Sequence, residues 1–177
     1  MKPLSGKRVL VFVGDDYEDL ELWYPRLRLE EAGATVVVAG PRAGETCRGK
    51  NGYPCVADAS VAELKAADFD GVVIPGGWMP DKLRRDGKVL EFVREIARAG
   101  KLVASICHGP WINISAGICR GVRMTSTSAI RDDLTNAGAQ WVDEPVVIDR
   151  NFISSRRPPD LPAFGAAIVD FLSHSAR

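Results

Sequence analysis

A cysteine and a histidine stand side by side at Cys107-His108, where the apolar run Leu102-Val103-Ala104-Ser105-Ile106 stops. That run has the length and composition of a strand buried on both faces, and Asn113 to Gly117 reads as the body of a helix, which puts Cys107 on the turn between them. A sharp strand-to-helix turn needs small residues two before and two after its apex, because the backbone doubles back there. Ser105 and Gly109 supply both, the spacing of a nucleophile elbow with sulfur in place of oxygen, and Pro110 fits a first helical turn. A thiol at such an apex lies beside a helix N-terminus, whose partial positive charge favours thiolate. Backbone N–H groups of the same turn, that of His108 included, face the place where an oxyanion would develop after attack on a carbonyl. A lone free cysteine is more often an inert filler; the elbow spacing argues for the nucleophile.

Other candidates surround this turn in the expected fold. The cluster Asp15-Asp16-Tyr17-Glu18-Asp19-Leu20-Glu21 precedes a helix, where acids ordinarily cap the N-terminus and complement its dipole. That reading suits Asp15, Asp16 and Asp19. For Glu18 a second reading stays open, in which its carboxyl lies across the strand ends from Cys107, holds a proton and donates a hydrogen bond to the sulfur. His108 would have to turn back to share its neighbour's site, and a surface imidazole is the common alternative; His174, near the end of the chain, reads as solvated.

The elements that must position these groups alternate along the chain. Arg8 to Val13, Thr35 to Ala39, Gly71 to Ile74 and Leu102 to Ile106 read as parallel strands, separated by a helix ending at Ala32 with Gly33 as its cap, a short helix over Val61 to Ala67, and a helix over Lys88 to Ala99. Pro25 falls inside the first helix and predicts a kink or a late start near Leu22. Further on come a helix over Ala129 to Asn136, strands at Trp141-Val142, Val146 to Asp149 and Phe152 to Ser155, and a terminal helix over Leu161 to Leu172. The expected fold is a single α/β domain over residues 1–177, a three-layer sandwich with a mostly parallel sheet and helices on both faces. Ligands of such sheets bind outside the carboxyl ends of the strands, where the turns Gly14 to Glu18, Pro75 to Asp81 and Cys107 to Pro110 emerge.

Composition narrows the function classes. The 177 residues are 46% apolar and 26% charged, and 23 basic side chains balance 23 acidic ones, so no net field draws in nucleic acid or an anionic membrane. No run is long enough to span a bilayer, and the start lacks the apolar core of a signal peptide, so a reduced, cytoplasmic setting is expected. Four cysteines with no Cys-x-x-Cys pair, and two histidines, make no zinc pattern, and no cofactor is implied. Cys47 and Cys55 flank the hairpin signal Asn51-Gly52 and are expected to face each other across two short strands, as small hydrophobes rather than a disulfide.

Taken together, Tyr17-Glu18-Asp19-Leu20-Glu21, Ile74-Pro75-Gly76-Gly77, Ala104-Ser105-Ile106-Cys107-His108-Gly109-Pro110, Asn136-Ala137-Gly138-Ala139, and Ser154-Ser155-Arg156 leading to Asp160-Leu161-Pro162 closely resemble the PfpI-type intracellular proteases of the ThiJ/PfpI superfamily, over nearly the whole chain. The resemblance implies a flavodoxin-like sandwich with a class I glutamine amidotransferase-like fold. It implies a nucleophile at Cys107, its histidine partner at His108, and an acid at Glu18 that hydrogen-bonds the sulfur, with backbone groups of Gly76, Gly77 and His108 around the oxyanion. It also implies a homo-oligomer, dimer or hexamer, in which an acid from a neighbour, matching Asp81, orients the histidine; glutamate or aspartate stands there in the family. Trp78 and Trp111 differ from the common pattern. With Tyr17 they are expected to wall a pocket for small substrates, and packing in a subunit interface is the competing reading for the tryptophans.

The activities this resemblance implies all begin with thiolate attack on an electrophilic carbon, and the fold does not choose among them. The preferred reading is glyoxalase or deglycase chemistry on methylglyoxal-like adducts, with Cys107 forming a hemithioacetal. An intracellular cysteine peptidase is the alternative, and a non-enzymatic stress sensor oxidised at Cys107 is the reading from another class.

Overall fold

The computed structural model describes residues 2–175. In chain order the strands are β1 (Arg8–Phe12), β2 (Thr35–Gly40), β3 (Thr46–Arg48), β4 (Pro54–Val56), β5 (Ala59–Ser60), β6 (Gly71–Ile74), β7 (Leu102–Ile106), β8 (Arg123–Met124), β9 (Gln140–Trp141), β10 (Val146–Asp149) and β11 (Phe152–Ser155). The helices are α1 (Asp19–Ala32), α2 (Met79–Leu83), α3 (Gly87–Arg98), α4 (Pro110–Ala116), α5 (Arg131–Asn136) and α6 (Leu161–His174). Seven strands form one sheet in the order β10-β11-β7-β6-β1-β2-β5, parallel throughout except for the β10–β11 pair at one edge. Helices α1 and α6 pack together on one face, and α3 and α4 on the other. This is the flavodoxin-like α/β sandwich.

The central strands owe their place to composition. Every residue of β6 and β7 is buried, as are Val9 to Phe12 of β1, so a run of branched apolar side chains serves both faces at once. From β1 the chain first adds β2 on one side, then returns to add β6, β7 and β11 on the other. The reversal opens a crevice at the carboxyl ends of β1, β6 and β7, and Gly14, Pro75 and Cys107 follow those ends.

Three local expectations are corrected. Helix α1 begins at Asp19, not near Leu22, and runs through Pro25 to Ala32, because Glu18 caps it and its buried face, Leu22, Pro25, Leu29 and Ala32, is held against the sheet. The helix expected over Val61 to Ala67 is two separate 3₁₀ turns, Val61–Glu63 and Ala66–Asp68. The strand expected at Trp141-Val142 is present but runs over Gln140–Trp141, as β9, and pairs with β8 in a separate two-stranded sheet. As expected, Cys47 and Cys55 oppose each other in the β3–β4 ribbon, both free and buried. No helix among the described residues is long and apolar enough to cross a membrane.

Candidate active site

Cys107 sits at the end of β7 with φ of 61°, a left-handed conformation that a residue with a side chain adopts at a cost of about 1–3 kcal/mol. The surrounding turn enforces it. Gly109 passes so close to the Ile74 carbonyl that a Cβ there would collide with it. Beneath the turn, Asn113 Nδ2 donates to Ser105 Oγ at 3.2 Å and ties α4 to β7. The sulfur therefore stands above the rim, half-buried, on a strand-to-helix corner.

The carboxyl beside this sulfur is Glu21, not Glu18. Glu18 is the N-cap of α1: its Oε2 accepts from Glu21 N at 2.8 Å, and its Oε1 lies 3.9 Å from the Lys50 ammonium. Three residues on, where the helix face meets the sheet, Glu21 is fully buried and its Oε2 accepts from Gly76 N at 2.8 Å. Among the described residues its Oε1 has no hydrogen-bond partner. Gly76 makes room for the encounter, since a Cβ there would lie 2.5 Å from Glu21 Oε2 and 2.7 Å from Cys107 Cβ.

Burial sets the electrostatics of this pair. It pushes the Glu21 carboxyl up to about 8, helped by the neighbouring Glu18 charge and opposed by Gly76 N–H and Cys107. Burial, then the Glu21 charge, pushes the Cys107 thiol up to about 12, while the Gly77 and His108 N–H groups pull it down. The expected preference for thiolate beside a helix N-terminus is not seen: α4 is only 7 residues long, and desolvation with a nearby carboxylate outweighs its dipole. At pH 7 Glu21 holds its proton. Once it is neutral its charge no longer opposes ionisation of the sulfur, and the same two backbone N–H groups remain to receive the negative charge.

His108 does turn back: its Nδ1 lies 3.3 Å from Cys107 Sγ. Burial and then the Lys50 charge hold the imidazole below its usual range, so it is neutral at pH 7, with Asp133 acting in the opposite sense. Asp81 does not touch it within the chain; its carboxylate is paired with Arg85 at 2.6 Å on the outside of α2. Trp78 and Trp111 flank the ring, with centroids 5.6 Å and 4.8 Å from it and 5.9 Å from each other. Trp78 is 59% exposed. Trp111 is pinned by its Nε1 donating to Asp133 at 2.8 Å.

Tyr17 is no pocket wall. Its side chain is fully buried, its hydroxyl donates to the Tyr53 carbonyl and accepts from Trp23 Nε1, and burial pushes its pKa up to about 12. The Tyr17 backbone instead bridges Gly49 on one side and Gly77 on the other, joining the hairpin to the site. His174 is exposed beside Asp170. Sequence reasoning missed Glu21, Lys50 and Asp133. For Glu21 a signal existed, since position 21 continues the 25, 29, 32 stripe on the buried face of α1. Lys50 and Asp133 reach the site only through tertiary packing.

A family model described as DJ-1/PfpI family matches residues 7–171. A deglycase of Pyrococcus abyssi is 46% identical over 165 residues, covering 93% of this chain and 99% of its own length. The protein/nucleic acid deglycase 2 of Escherichia coli is 41% identical, covering 94% of this chain and 98% of its own. Among solved structures, DJ-1beta of Drosophila melanogaster superposes with a TM-score of 0.89 at 31% identity, covering 96% of this chain and 91% of that one. A two-domain protein of Anabaena variabilis with DJ-1/ThiJ/PfpI-like and ferritin-like domains superposes with a TM-score of 0.93 at 44% identity; the match covers 94% of this chain and 48% of that longer one.

Proposed function

The chain belongs to the DJ-1/PfpI family, and from that premise we propose that it is a deglycase-type enzyme that uses Cys107 as nucleophile on the adducts of small dicarbonyls such as methylglyoxal. The relatives named deglycases support the activity class. One observation of the site carries the mechanism: a strained, half-buried thiol shares its surroundings with a buried carboxyl that holds a proton at neutrality and has one oxygen unpartnered.

In this reading His108 takes the Cys107 proton through Nδ1 as the sulfur attacks the aldehyde-level carbon of the substrate. With a free aldehyde the C–S bond forms as the C=O π bond opens, and Glu21 supplies a proton to the oxygen; with a hemiaminal adduct the C–S bond forms as the C–N bond breaks, and Glu21 supplies the proton to the departing amine. Either way a hemithioacetal that keeps its hydroxyl is left on Cys107. Transfer of hydrogen from the sulfur-bearing carbon to its neighbour yields a thioester, which water hydrolyses to the hydroxy acid, restoring the thiol. Backbone N–H groups of Gly77 and His108, which already favour negative charge at the sulfur, supply donors for the oxyanion. Assembly of copies that brings a second chain's Asp81 toward His108 belongs to the same proposal.

The test follows amine release and lactate formation together from preformed adducts of N-acetyl-lysine and N-acetyl-arginine, with free aldehyde monitored, so that direct cleavage is separated from scavenging. Amine release faster than spontaneous dissociation, lost in Cys107→Ala, supports the proposal. Spontaneous rates with wild-type protein, or full turnover by Cys107→Ala, overturn it.

A further inference from the structure

The β3–β4 ribbon carries a second pair of sulfurs that the mechanism does not use. Cys47 and Cys55 are direct partners in the ladder, each is 2% exposed, and the residues on either side of each, Thr46, Arg48, Pro54 and Val56, face solvent. Both thiols therefore lie together on the inner side of the ribbon. Ala57 N donates to Glu45 O and Gly49 N donates to Tyr53 O, and the alternation of an antiparallel ladder then makes Cys47–Cys55 a hydrogen-bonded pair. Pro54, which has no N–H, falls at the non-bonded position opposite Arg48, as that alternation requires.

This register has a chemical consequence. A hydrogen-bonded pair sets Cα atoms about 5.5 Å apart, near the commonest spacing across a disulfide. Its Cβ atoms stand about 5 Å apart, against about 3.8 Å across an S–S bond, so closing the bond must draw the strands together by roughly an ångström. A bridge formed at that cost is reducible, which distinguishes a regulatory disulfide from a structural one. A second feature differentiates the two sulfurs: the Arg26 guanidinium, stacked on Trp23, reaches Cys55 Sγ at 3.8 Å. We propose that Cys47 and Cys55 are a redox modification site, a thiol pair that low-molecular-weight disulfides convert reversibly to a cross-strand disulfide.

Cys55 reacts first. Burial raises both thiols, Cys47 to about 11, but Arg26 opposes the rise at Cys55 and favours its thiolate. The Cys55 sulfur attacks glutathione disulfide, forming a mixed disulfide and releasing one glutathione thiolate. The Cys47 sulfur then attacks the protein-borne sulfur and expels the second glutathione. Two electrons pass from the cysteines to glutathione, and the two thiol protons end on the two glutathione thiols. Access comes from local opening of a ribbon only three residues long on each strand.

The ribbon is wired to the active site. Asp16 N donates to Arg48 O at 2.8 Å, Lys50 N donates to Tyr17 O at 2.8 Å, and the next turn of that segment, Glu18 N, donates to Gly76 O at 3.1 Å. Asp19 holds the ribbon's tip through Asn51 N and Tyr53 N. Drawing the strands together therefore moves the Lys50 ammonium against Glu18 and His108, and oxidation of the pair changes the reactivity of Cys107.

The experiment uses the Cys107→Ala protein equilibrated with reduced and oxidised glutathione, followed by peptide mapping. An intramolecular Cys47–Cys55 disulfide that forms as the ratio is made oxidising, and disappears when it is reversed, supports the proposal; two free thiols, or only mixed disulfides, at the oxidising limit overturn it. In protein with Cys107 intact, first oxidised and then assayed with iodoacetamide at pH 7, the alkylation rate of Cys107 changes roughly two- to fivefold, the range that loss of one partly exposed ion pair spans. Cys55→Ser removes that response. An unchanged rate in bridged protein overturns the coupling to the site.

Discussion

Two cysteines of this protein, Cys107 and Cys119, are raised by burial to about the same pKa, about 12, yet their surroundings differ in kind. Cys119 is 1% exposed and packed in the apolar core, and burial is the one cause acting on it. Cys107 has a protonatable carboxyl, two backbone N–H groups and an imidazole about its sulfur. The number alone distinguishes nothing. On the proposed reading, reactivity belongs to the sulfur whose neighbours can take its proton and receive its charge, and the other is a small hydrophobe that happens to carry a thiol.

The largest effect expected from that contrast is at the sulfurs themselves. Cys107→Ala abolishes adduct cleavage, while Cys119→Ala leaves kcat within about twofold and costs about 1 kcal/mol in unfolding free energy, as a small truncation in the core does. Kinetics and denaturant titration of the two variants check this. Equal loss of rate in both would erase the distinction between the two environments.

Next in size is the contrast between two carboxylates of one helix start. Glu21→Gln keeps the shape and the Gly76 contact but removes the exchangeable proton, and kcat falls about 10²- to 10⁴-fold, the range of general acid–base catalysis. Glu18→Gln keeps an acceptor for Glu21 N and leaves the proton carrier in place, so the loss stays under about tenfold. A larger loss in the Glu18 variant would return the role to the residue the sequence had suggested.

The same carboxyl leaves a mark on stability. Folding raises Glu21 from its ordinary value of 4.5 to about 8, so between these values the native state binds more protons than the unfolded one. Its stabilising contribution is full below about pH 4.5 and is lost as pH rises through about 8. Cys107, raised from 9.0, acts only above pH 9, and His108, lowered from 6.5, contributes in the opposite sense and at lower pH. Wild-type protein therefore loses a few kcal/mol of unfolding free energy between about pH 4.5 and 8 relative to Glu21→Gln. Urea titrations across that window measure it, and parallel curves would place the Glu21 pKa near its ordinary value.

Much of this was legible in the amino-acid sequence because it rests on short-range rules. Apolar runs of strand length, the small residues around Cys107 and Gly33 at a helix end each encode their structure locally. Glu18 and Glu21 show where such rules give out. The cluster announces a helix start, yet which acid caps and which points inward depends on where the first turn falls, and Pro25 argued for a later start than packing permits. The aromatic stack of Trp78, His108 and Trp111 and the approach of Lys50 and Asp133 depend on loops meeting across the rim. Nothing in the spacing of those residues encodes that meeting.

The smallest expected effect concerns Asp133, a surface carboxylate with no counterpart near Cys119. It is the group that raises the His108 pKa against burial and Lys50, and it fixes Trp111 through the indole N–H. Asp133→Asn keeps an oxygen acceptor for that N–H and removes the charge. The imidazole then loses its proton at a still lower pH, and the acid limb of the kcat/KM profile moves down by less than about one pH unit, with the rate above the limb unchanged. Asp133→Ala also frees the indole and raises KM. If Asn and Ala move KM equally while neither moves the limb, Asp133 is a tether for Trp111 and the protonation of His108 is set by Lys50 and burial alone; a limb that moves in both separates charge from tether and shows that the imidazole of the site is tuned by a residue 25 positions away in the chain.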